Sequence, residues 1–145
     1  MNRMRLLVSY WLPPILLMSL IFYLSSLSGL PDFEEYDFAM KKTAHLTVYA
    51  LLYLLLFRAF HSVGPRISRS AIRCHVPAGI IGLLYAISDE IHQYFVPFRN
   101  ATVRDVLIDT AGMALMCLLV SRWPALFSPI LRRPAISSRP DGRLP

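Results

Sequence analysis

Charged residues are scarce in this chain of 145 residues, and they make up only 17% of it. A soluble domain of this length carries about a quarter charged residues. Hydrophobic residues make up 55%, and the mean hydropathy is +0.48. This balance argues against a soluble enzyme, a disordered protein and a nucleic-acid-binding protein. It indicates that a lipid bilayer surrounds much of the apolar surface.

Cysteine and the common catalytic patterns are scarce or missing as well. With two cysteines, the chain has no disulfide framework. The His-Glu-x-x-His pattern, the Gly-x-Ser-x-Gly pattern and the P-loop are absent, which argues against a protease, a serine esterase and an ATPase. The spacing of His61, His75, Cys74 and Cys117 is not that of metal ligands, and we interpret these four residues as incidental.

Long apolar segments are what the sequence does contain. Four of them approach the 18 to 20 apolar residues that cross a bilayer, about 6–27, 43–60, 76–95 and 103–123. A segment in hydrocarbon must be helical, because no water is present to satisfy its backbone. We therefore predict an all-α integral membrane four-helix bundle as one domain over 1–123. Pro13 and Pro14 predict a kink in the first helix.

The basic residues predict the orientation. Eleven of them fall at the two termini and between the second and third helices, against four on the opposite side. The positive-inside rule places both termini in the cytoplasm of a multi-pass, bacterial-type plasma membrane protein. We thus interpret the net charge of +6 as a topology signal, with anionic headgroups rather than nucleic acid as partners. Residues 124–145, rich in Pro, Arg and Ser, predict a disordered basic cytoplasmic tail.

The acidic residues collect on the outer side. Eight of the nine lie there, and four of these fall within the last two helices: Asp89, Glu90, Asp105 and Asp109. From the helical rise, Asp89 and Asp109 lie roughly 9 to 10 Å below the outer surface. A charge that faces lipid at the bilayer centre costs about 2.5 to 3.5 kcal/mol or more. We expect these acids to face the bundle interior or a water-filled cleft. The acids around Glu34 are expected in a solvated loop.

Helical spacing groups the polar residues into faces. The three faces contain Lys42, His45, Tyr49 and Tyr53; Tyr85, Asp89 and His92; and Asp105, Asp109 and Gly112. Glu90 and Gln93 form a neighbouring pair on the third helix. The small residues expected at helix contacts are Gly79, Gly82, Gly112, Ala111 and Ala114.

These residue types suit acid–base chemistry on a phosphate-bearing lipid, because carboxylates and imidazoles exchange protons and basic side chains bind phosphate. The catalytic candidates are Asp89, Glu90, His92, His45 and Asp109. Carboxylate and imidazole ligands also suit a divalent metal ion, the one cofactor that the sequence suggests, and the candidate ligands are Glu90, His92 and Asp109. The substrate-binding candidates are Lys42, Gln93, Arg99, Arg104, Asp105, Tyr49 and Tyr85.

Structural roles are open for several of these candidates. Thr102 and Asp105 have the spacing of a helix-capping box. The two arginines could anchor the chain at the interface or pair with Glu90 and Asp105. His45 and the tyrosines could be packing residues, and Lys42 could mark the membrane boundary.

The same residues resemble the VanZ-like family over roughly 6–122. The resemblance rests on three motifs: Lys42-x-x-His45-x-x-x-Tyr49, YAISDEIHQYFVPFR from Tyr85 to Arg99, and Arg104-Asp105-x-x-x-Asp109-x-x-Gly112. Some relatives have Gly in place of Phe98 and Asn in place of Asp109. The resemblance implies a four-helix membrane domain, a link to low-level teicoplanin (glycopeptide) resistance, and kinship with enzymes that exchange lipid headgroups.

Two hypotheses for the function follow. The first is an enzyme for headgroup or phosphoryl transfer on an anionic lipid or lipid-linked cell-envelope intermediate in the outer leaflet. The second is a non-catalytic protein that binds an envelope precursor or another membrane protein. A proton-coupled transporter is a weaker, third hypothesis. Residues 79–84 and 114–120 contain no polar groups that would continue a proton path across the membrane. The sequence leaves the substrate and the oligomeric state open.

Overall fold

The structure, a computed structural model, describes residues 3–28, 34–63, 72–99 and 101–131. They form five helices: α1 (Arg3–Ser26), α2 (Glu34–Val63), α3 (Ile72–Tyr94), α4 (Val103–Arg122) and α5 (Pro124–Leu131). The all-α prediction is confirmed, and the four longer helices overlap the four predicted segments. The predicted loop around residues 64–71 and the end of the predicted tail, 132–145, lie outside the described residues.

Helix α2 begins well before the predicted start at residue 43, so part of the predicted acidic loop is helical. Glu34, Glu35 and Asp37 belong to its first turns. The helix thus continues beyond the apolar segment from which it was predicted.

Helix α5 occupies the start of the segment for which the sequence predicts disorder. Its eight residues contain no charge, and Phe127 and Leu131 pack against the core. Pro124 is the first residue of α5, a position where its missing N–H costs nothing. The Arg58 Nε donates a 3.0 Å hydrogen bond to the Ile130 carbonyl oxygen. The prediction of disorder used the composition of 124–145 as a whole, in which the apolar character of the first eight residues is averaged out.

Helix α2 is the central element, and it contacts all four other helices. Its side chains supply most of the buried apolar core: Tyr49, Ala50, Leu52, Tyr53, Leu54, Leu56, Phe57 and Ala59. Helix α3 lies between α1 and α4 and contacts both. A polar residue on the buried faces of α3 or α4 is thus directed towards a neighbouring helix.

The outer surface of the helices is strongly apolar. Exposed leucines occur along them, among them Leu16 on α1, Leu84 on α3 and Leu118 on α4, each more than half exposed. Two segments, Leu7–Ser26 and Met40–Ser62, are long and apolar enough to cross a membrane. By length and composition α1 and α2 are therefore candidate membrane spans.

Gly112 sets the distance between α2 and α4. A Cβ atom at this position would overlap the Leu46 carbonyl oxygen of α2, which belongs to the backbone and has little freedom to move. Gly82 faces the flexible end of the Met113 side chain, and Gly79 has nothing within 4 Å. Ala111 and Ala114 are exposed. Of the small residues predicted at helix contacts, Gly112 is the one at which backbone meets backbone.

We predict that Gly112→Ala destabilises the protein and that Gly79→Ala does not. The added methyl group at 112 forces α2 and α4 apart, and overpacking of this kind costs about 1 to 3 kcal/mol. Thermal unfolding of the full chain in detergent measures the difference. Equal melting temperatures for the two variants would show that the α2–α4 contact is looser than the structure has it.

Candidate functional site

Polar side chains gather at the end of the helices where α3 and α4 are joined. We call this group the polar cluster, and it consists of Lys42, His45, Tyr49, Asp89, Glu90, Gln93, Thr102, Asp105 and Asp109. All four of its carboxylates are buried, with exposures of 9% or less, and Asp109 is fully buried. Helices α2, α3 and α4 each contribute to the cluster, as the sequence predicts for acids that avoid lipid.

Two ion pairs join α2 to α4 within the polar cluster. The Lys42 Nζ pairs with the Asp105 carboxylate, and the His45 Nδ1 lies 3.2 Å from the Asp109 Oδ1. One turn further on, Gly112 meets the α2 backbone. The Asp105, Asp109 and Gly112 face predicted from helical spacing is therefore the face of α4 that packs against α2.

Asp89 is held from two directions. Its Oδ2 accepts hydrogen bonds from the Tyr49 hydroxyl at 3.4 Å and from the Gln93 Nε2 at 3.0 Å. The Gln93 amide also donates to the Ser25 Oγ of α1 at 3.4 Å. Gln93 is thus a bridge between α1 and the polar cluster. The role of Ser25 could not be predicted from the sequence, because α1 carries no local pattern that marks a polar contact.

Glu90 holds the beginning of α4. Its Oε2 accepts a 2.8 Å hydrogen bond from the backbone N–H of Thr102, the N-cap residue. The Thr102 hydroxyl donates to the Asp105 Oδ2 at 2.9 Å and makes no side-chain cap. The predicted capping box is therefore wrong in its partners, because a carboxylate from α3 takes the N–H that Asp105 would have accepted.

Three buried carboxylate oxygens have no hydrogen-bond partner among the described residues: Asp89 Oδ1, Glu90 Oε1 and Asp109 Oδ2. Buried polar atoms are almost always paired, and an exception marks a place where a proton, a water molecule or a ligand belongs. Asp89 and Asp109 both lie within electrostatic range of Glu90. The polar cluster therefore contains three acids that influence one another electrostatically. His45 contacts Asp109, the most deeply buried of the three.

His92 and Tyr85 face α1 and lie apart from the α2–α4 pairs of the polar cluster. The His92 Nε2 lies 3.0 Å from the Ser26 Oγ, and its ring stacks on Phe22 with centroids 4.2 Å apart. The Tyr85 hydroxyl donates to the Met18 carbonyl oxygen at 2.5 Å. The predicted face of Tyr85, Asp89 and His92 is thus divided, because α1 packs on α3 beside α2.

The two arginines expected to bind phosphate lie in different surroundings. Arg99 donates to the Leu27 carbonyl oxygen from Nε at 3.2 Å and to the Leu24 carbonyl oxygen from a terminal nitrogen at 2.6 Å. These carbonyls belong to the last turn of α1 and the residue that follows it, where they have no partner within the helix. Arg104 is exposed in the first turn of α4. Arg99 therefore caps α1, and Arg104 is the arginine at the surface beside the cluster.

The proposed metal ligands are not brought together. Glu90 and Asp109 belong to the polar cluster, but His92 faces α1. Across the described ranges, no group of three or more His, Cys, Asp or Glu side chains is arranged to hold a metal ion. The described residues therefore do not fit a divalent metal ion.

Comparison with known proteins identifies the family. The model of the VanZ/LLP1 family matches residues 10–127. The chain belongs to the VanZ/LLP1 family. Searches of curated proteins and of solved structures return no match. The VanZ/LLP1 match spans α2, α3 and α4 from the polar cluster to their opposite ends, so the whole cluster lies within the family's domain.

Phe98 has the backbone conformation that favours glycine. Its φ is 63°, in the left-handed region, and its side chain is 90% exposed. A non-glycine residue in this region costs roughly 1 to 2 kcal/mol. A glycine at position 98 would therefore fit the turn that joins α3 to α4 without strain.

We expect Phe98→Gly to stabilise the protein by about 1 kcal/mol, because it relieves the left-handed strain and removes no packed side chain. Thermal unfolding in detergent measures the gain, and Phe95→Gly, also at an exposed aromatic residue near this turn, is the control and should destabilise. A lower melting temperature for Phe98→Gly than for the unaltered chain would contradict the strained turn.

We also predict that His45 and Asp109 are energetically coupled. Replacing His45 with leucine leaves a buried carboxylate without its cation, and breaking a buried pair costs about 3 to 5 kcal/mol. Replacing both residues with leucine removes the orphaned charge, so the double variant should be more stable than His45→Leu alone. Denaturation midpoints of the single and double variants measure the coupling.

His61→Leu, a matched histidine variant of α2 outside the polar cluster, should change stability by less than about 1 kcal/mol. Strictly additive effects of His45→Leu and Asp109→Leu would rule out the predicted coupling.

Proposed function

We propose that the chain is a multi-pass membrane protein whose four long helices all cross the bilayer. Helices α1 and α2 satisfy the length and hydropathy expected of a span. Helices α3 and α4 have 23 and 20 residues, also enough to cross a hydrocarbon core of about 30 Å. Their lower hydropathy comes from acids that are buried against other helices, and buried acids do not contact lipid.

The exposed faces of α3 and α4 support this proposal. Between Val76 and Ile91 the one exposed polar residue of α3 is Ser88, and its hydroxyl donates to the Tyr85 carbonyl oxygen at 2.8 Å. Between Val106 and Val120 of α4, all the exposed residues are apolar. A large, continuous apolar surface of this kind is rare on soluble monomers and typical of contact with lipid.

Two hydroxyl groups on the outer surfaces of α1 and α2 are satisfied within their own helices. Ser19 donates to the Ile15 carbonyl oxygen at 2.9 Å, and Thr47 donates to that of Thr43 at 2.7 Å. In hydrocarbon an unpaired hydroxyl is costly, whereas this local bond removes the cost. With both termini in the cytoplasm by the positive-inside rule, the polar cluster opens towards the outer leaflet.

We infer that the polar cluster performs acid–base chemistry on the headgroup of an anionic lipid or a lipid-linked envelope intermediate. The observation that carries this inference is the set of three buried carboxylates, each with an unpartnered oxygen, beside His45. Such groups can take up and release protons as a substrate bond forms or breaks, and the effect on rate is typically about 10²- to 10⁴-fold.

Glu90 is the best candidate for the general base. It bonds to the backbone of Thr102, an exposed residue, and therefore lies close to the surface from which a headgroup would approach. Its second oxygen, Oε1, is unpartnered and available to accept a proton. His45, with 28% of its side chain exposed, connects the buried Asp109 to the surface and is suited to pass protons between them. Arg104 supplies positive charge for phosphate at the same end.

Non-catalytic binding is the second candidate function. The two ion pairs between α2 and α4 favour it, because pairs of this kind fix the shape of a binding site without any need for proton transfer. In that case the protein would retain an envelope precursor, and membership of the VanZ/LLP1 family would connect it with glycopeptide (teicoplanin) resistance through sequestration of that precursor.

The test of catalysis is Glu90→Gln. The glutamine amide oxygen can still accept the Thr102 N–H, so the fold should be retained while the proton acceptor is lost. We predict that conversion of phosphatidylglycerol or polyprenyl phosphate in nanodiscs, followed by mass spectrometry of the lipids, falls by about 10²-fold or more. Ser88→Ala, on the exposed face of α3, should convert lipid at the unaltered rate.

The outcomes separate the two candidate functions. Unchanged conversion by Glu90→Gln would overturn the role of Glu90 as base. If no lipid is converted by any form of the protein, but polyprenyl phosphate copurifies with it and Arg104→Gln loses that lipid, then the binding function replaces the catalytic one.

A further inference from the structure

A second group of reactive side chains lies at the opposite end of the helices from the polar cluster. We call it the thiol–imidazole group, and it consists of Tyr53, His75, Cys117 and Ser121. His75 and Cys117 are far apart in the chain, and their spacing is not that of metal ligands, so the sequence does not predict a site there. The structure brings them into contact, with 3.5 Å between the Cys117 Sγ and the His75 Nδ1.

The surroundings of His75 orient its ring and place a hydroxyl group beside each ring nitrogen. The Nε2 lies 3.3 Å from the Ser121 Oγ, and the Nδ1 lies 2.5 Å from the Tyr53 hydroxyl. Phe57 stacks on the imidazole with centroids 4.5 Å apart. When Nε2–H donates to Ser121, Nδ1 is the basic nitrogen and faces both the Tyr53 hydroxyl and the thiol. A nucleophile beside an oriented base is the arrangement of activated thiols.

The Tyr53 hydroxyl and the Cys117 thiol approach the same nitrogen, the His75 Nδ1, at 2.5 and 3.5 Å. The hydroxyl can therefore donate either to the imidazole or to the sulfur. As the thiol loses its proton to Nδ1, a hydrogen bond from Tyr53 to the sulfur would stabilise the negative charge that develops there. The thiol proton can therefore lie on the Cys117 sulfur or on the His75 Nδ1, and the Tyr53 hydroxyl can donate a hydrogen bond to whichever of the two atoms lacks it.

The location of the thiol–imidazole group defines what can reach it. Cys117 lies six residues before Trp123, about 9 Å along α4, and both Cys117 and His75 are partly exposed. The neighbouring surface of α4 is apolar, with Leu115 and Leu118 exposed. A charged reagent would have to leave water to approach, whereas a small apolar molecule dissolved in the membrane would not.

We propose that Cys117 is a reactive thiol, a covalent modification site for small apolar α,β-unsaturated carbonyl compounds, with His75 as its base. The thiol proton passes to the His75 Nδ1 as the sulfur forms a bond to the β-carbon of the compound. The π electron pair of the C=C bond moves to the α-carbon, which then takes the proton back from the imidazolium. The addition has no leaving group and needs no oxidant.

Cys74 provides an internal reference for this proposal. It is adjacent to His75 in the chain, so both thiols lie near the same end of the helices, and both are partly exposed. Its side chain leaves α3 about 100° around the helix from that of His75. A loss of rate at Cys117 but not at Cys74 when His75 is replaced therefore reports the base at Cys117 rather than general access to this end.

The experiment measures alkylation by N-ethylmaleimide, an apolar α,β-unsaturated carbonyl compound. The full chain in detergent is sampled over time, and peptide mass spectrometry gives the rate at each cysteine. We expect His75→Ala to slow Cys117 by about 10²-fold while the rate at Cys74 is unchanged. Ser88→Ala, on the exposed face of α3 and far from His75, should leave both rates unaltered.

Two further measurements separate a base from a purely structural histidine. Free imidazole added to His75→Ala should restore much of the rate at Cys117, which a residue that only supports the fold would not allow. Ser121→Ala removes one exposed hydroxyl, keeps the base, and should slow Cys117 by a smaller factor than His75→Ala. An unchanged Cys117 rate in His75→Ala would overturn the proposal, as would a failure of free imidazole to restore the Cys117 rate in that variant.

Discussion

The burial of four carboxylates among α2, α3 and α4 is the constraint on which the rest of the structure depends. The outer faces of these helices are apolar, so in the proposed membrane arrangement an acid that turned outward would meet lipid at a cost of several kcal/mol. Lys42 and His45 on α2 compensate Asp105 and Asp109 on α4. The pairs can form only because Gly112 lets α4 lie against the α2 backbone. Close helix contact and charge compensation therefore require each other.

Because the acids are buried, the polar residues have two kinds of role: some hold helices together, and some have an oxygen left for chemistry. Asp89, Glu90 and Asp109 each use one oxygen to hold a helix or a side chain and leave the other unpartnered. Arg99 and His92 hold α1 in place through the Leu24 carbonyl oxygen and the Ser26 hydroxyl. In lipid there is no hydrophobic force between helices, and such polar contacts together with close packing hold a bundle together. The residues that assemble the site and those proposed to do its chemistry are neighbours in the chain.

Much of the fold and part of the site could be predicted from the sequence. The apolar segments predict the helices, and helical spacing predicts that Asp105, Asp109 and Gly112 share a face, because both depend on one chain segment at a time. Which helix a face meets depends on the packing of several segments. His92 therefore faces α1 rather than Asp89, and Glu90 rather than Asp105 receives the Thr102 N–H. The contact of His75 with Cys117 was missed for the same reason, since no local pattern connects α3 with α4.

The central claim is that the polar cluster lies at the outer end of a membrane-spanning domain. The direct test uses a chain with both native cysteines replaced by serine and one new cysteine, at Phe98 beside the cluster or at Trp123 at the other end, both exposed positions. A membrane-impermeant maleimide is added to intact cells and, separately, to opened membranes. The account predicts that Phe98→Cys is labelled on intact cells and that Trp123→Cys is labelled only after the membranes are opened. The reverse pattern would contradict it.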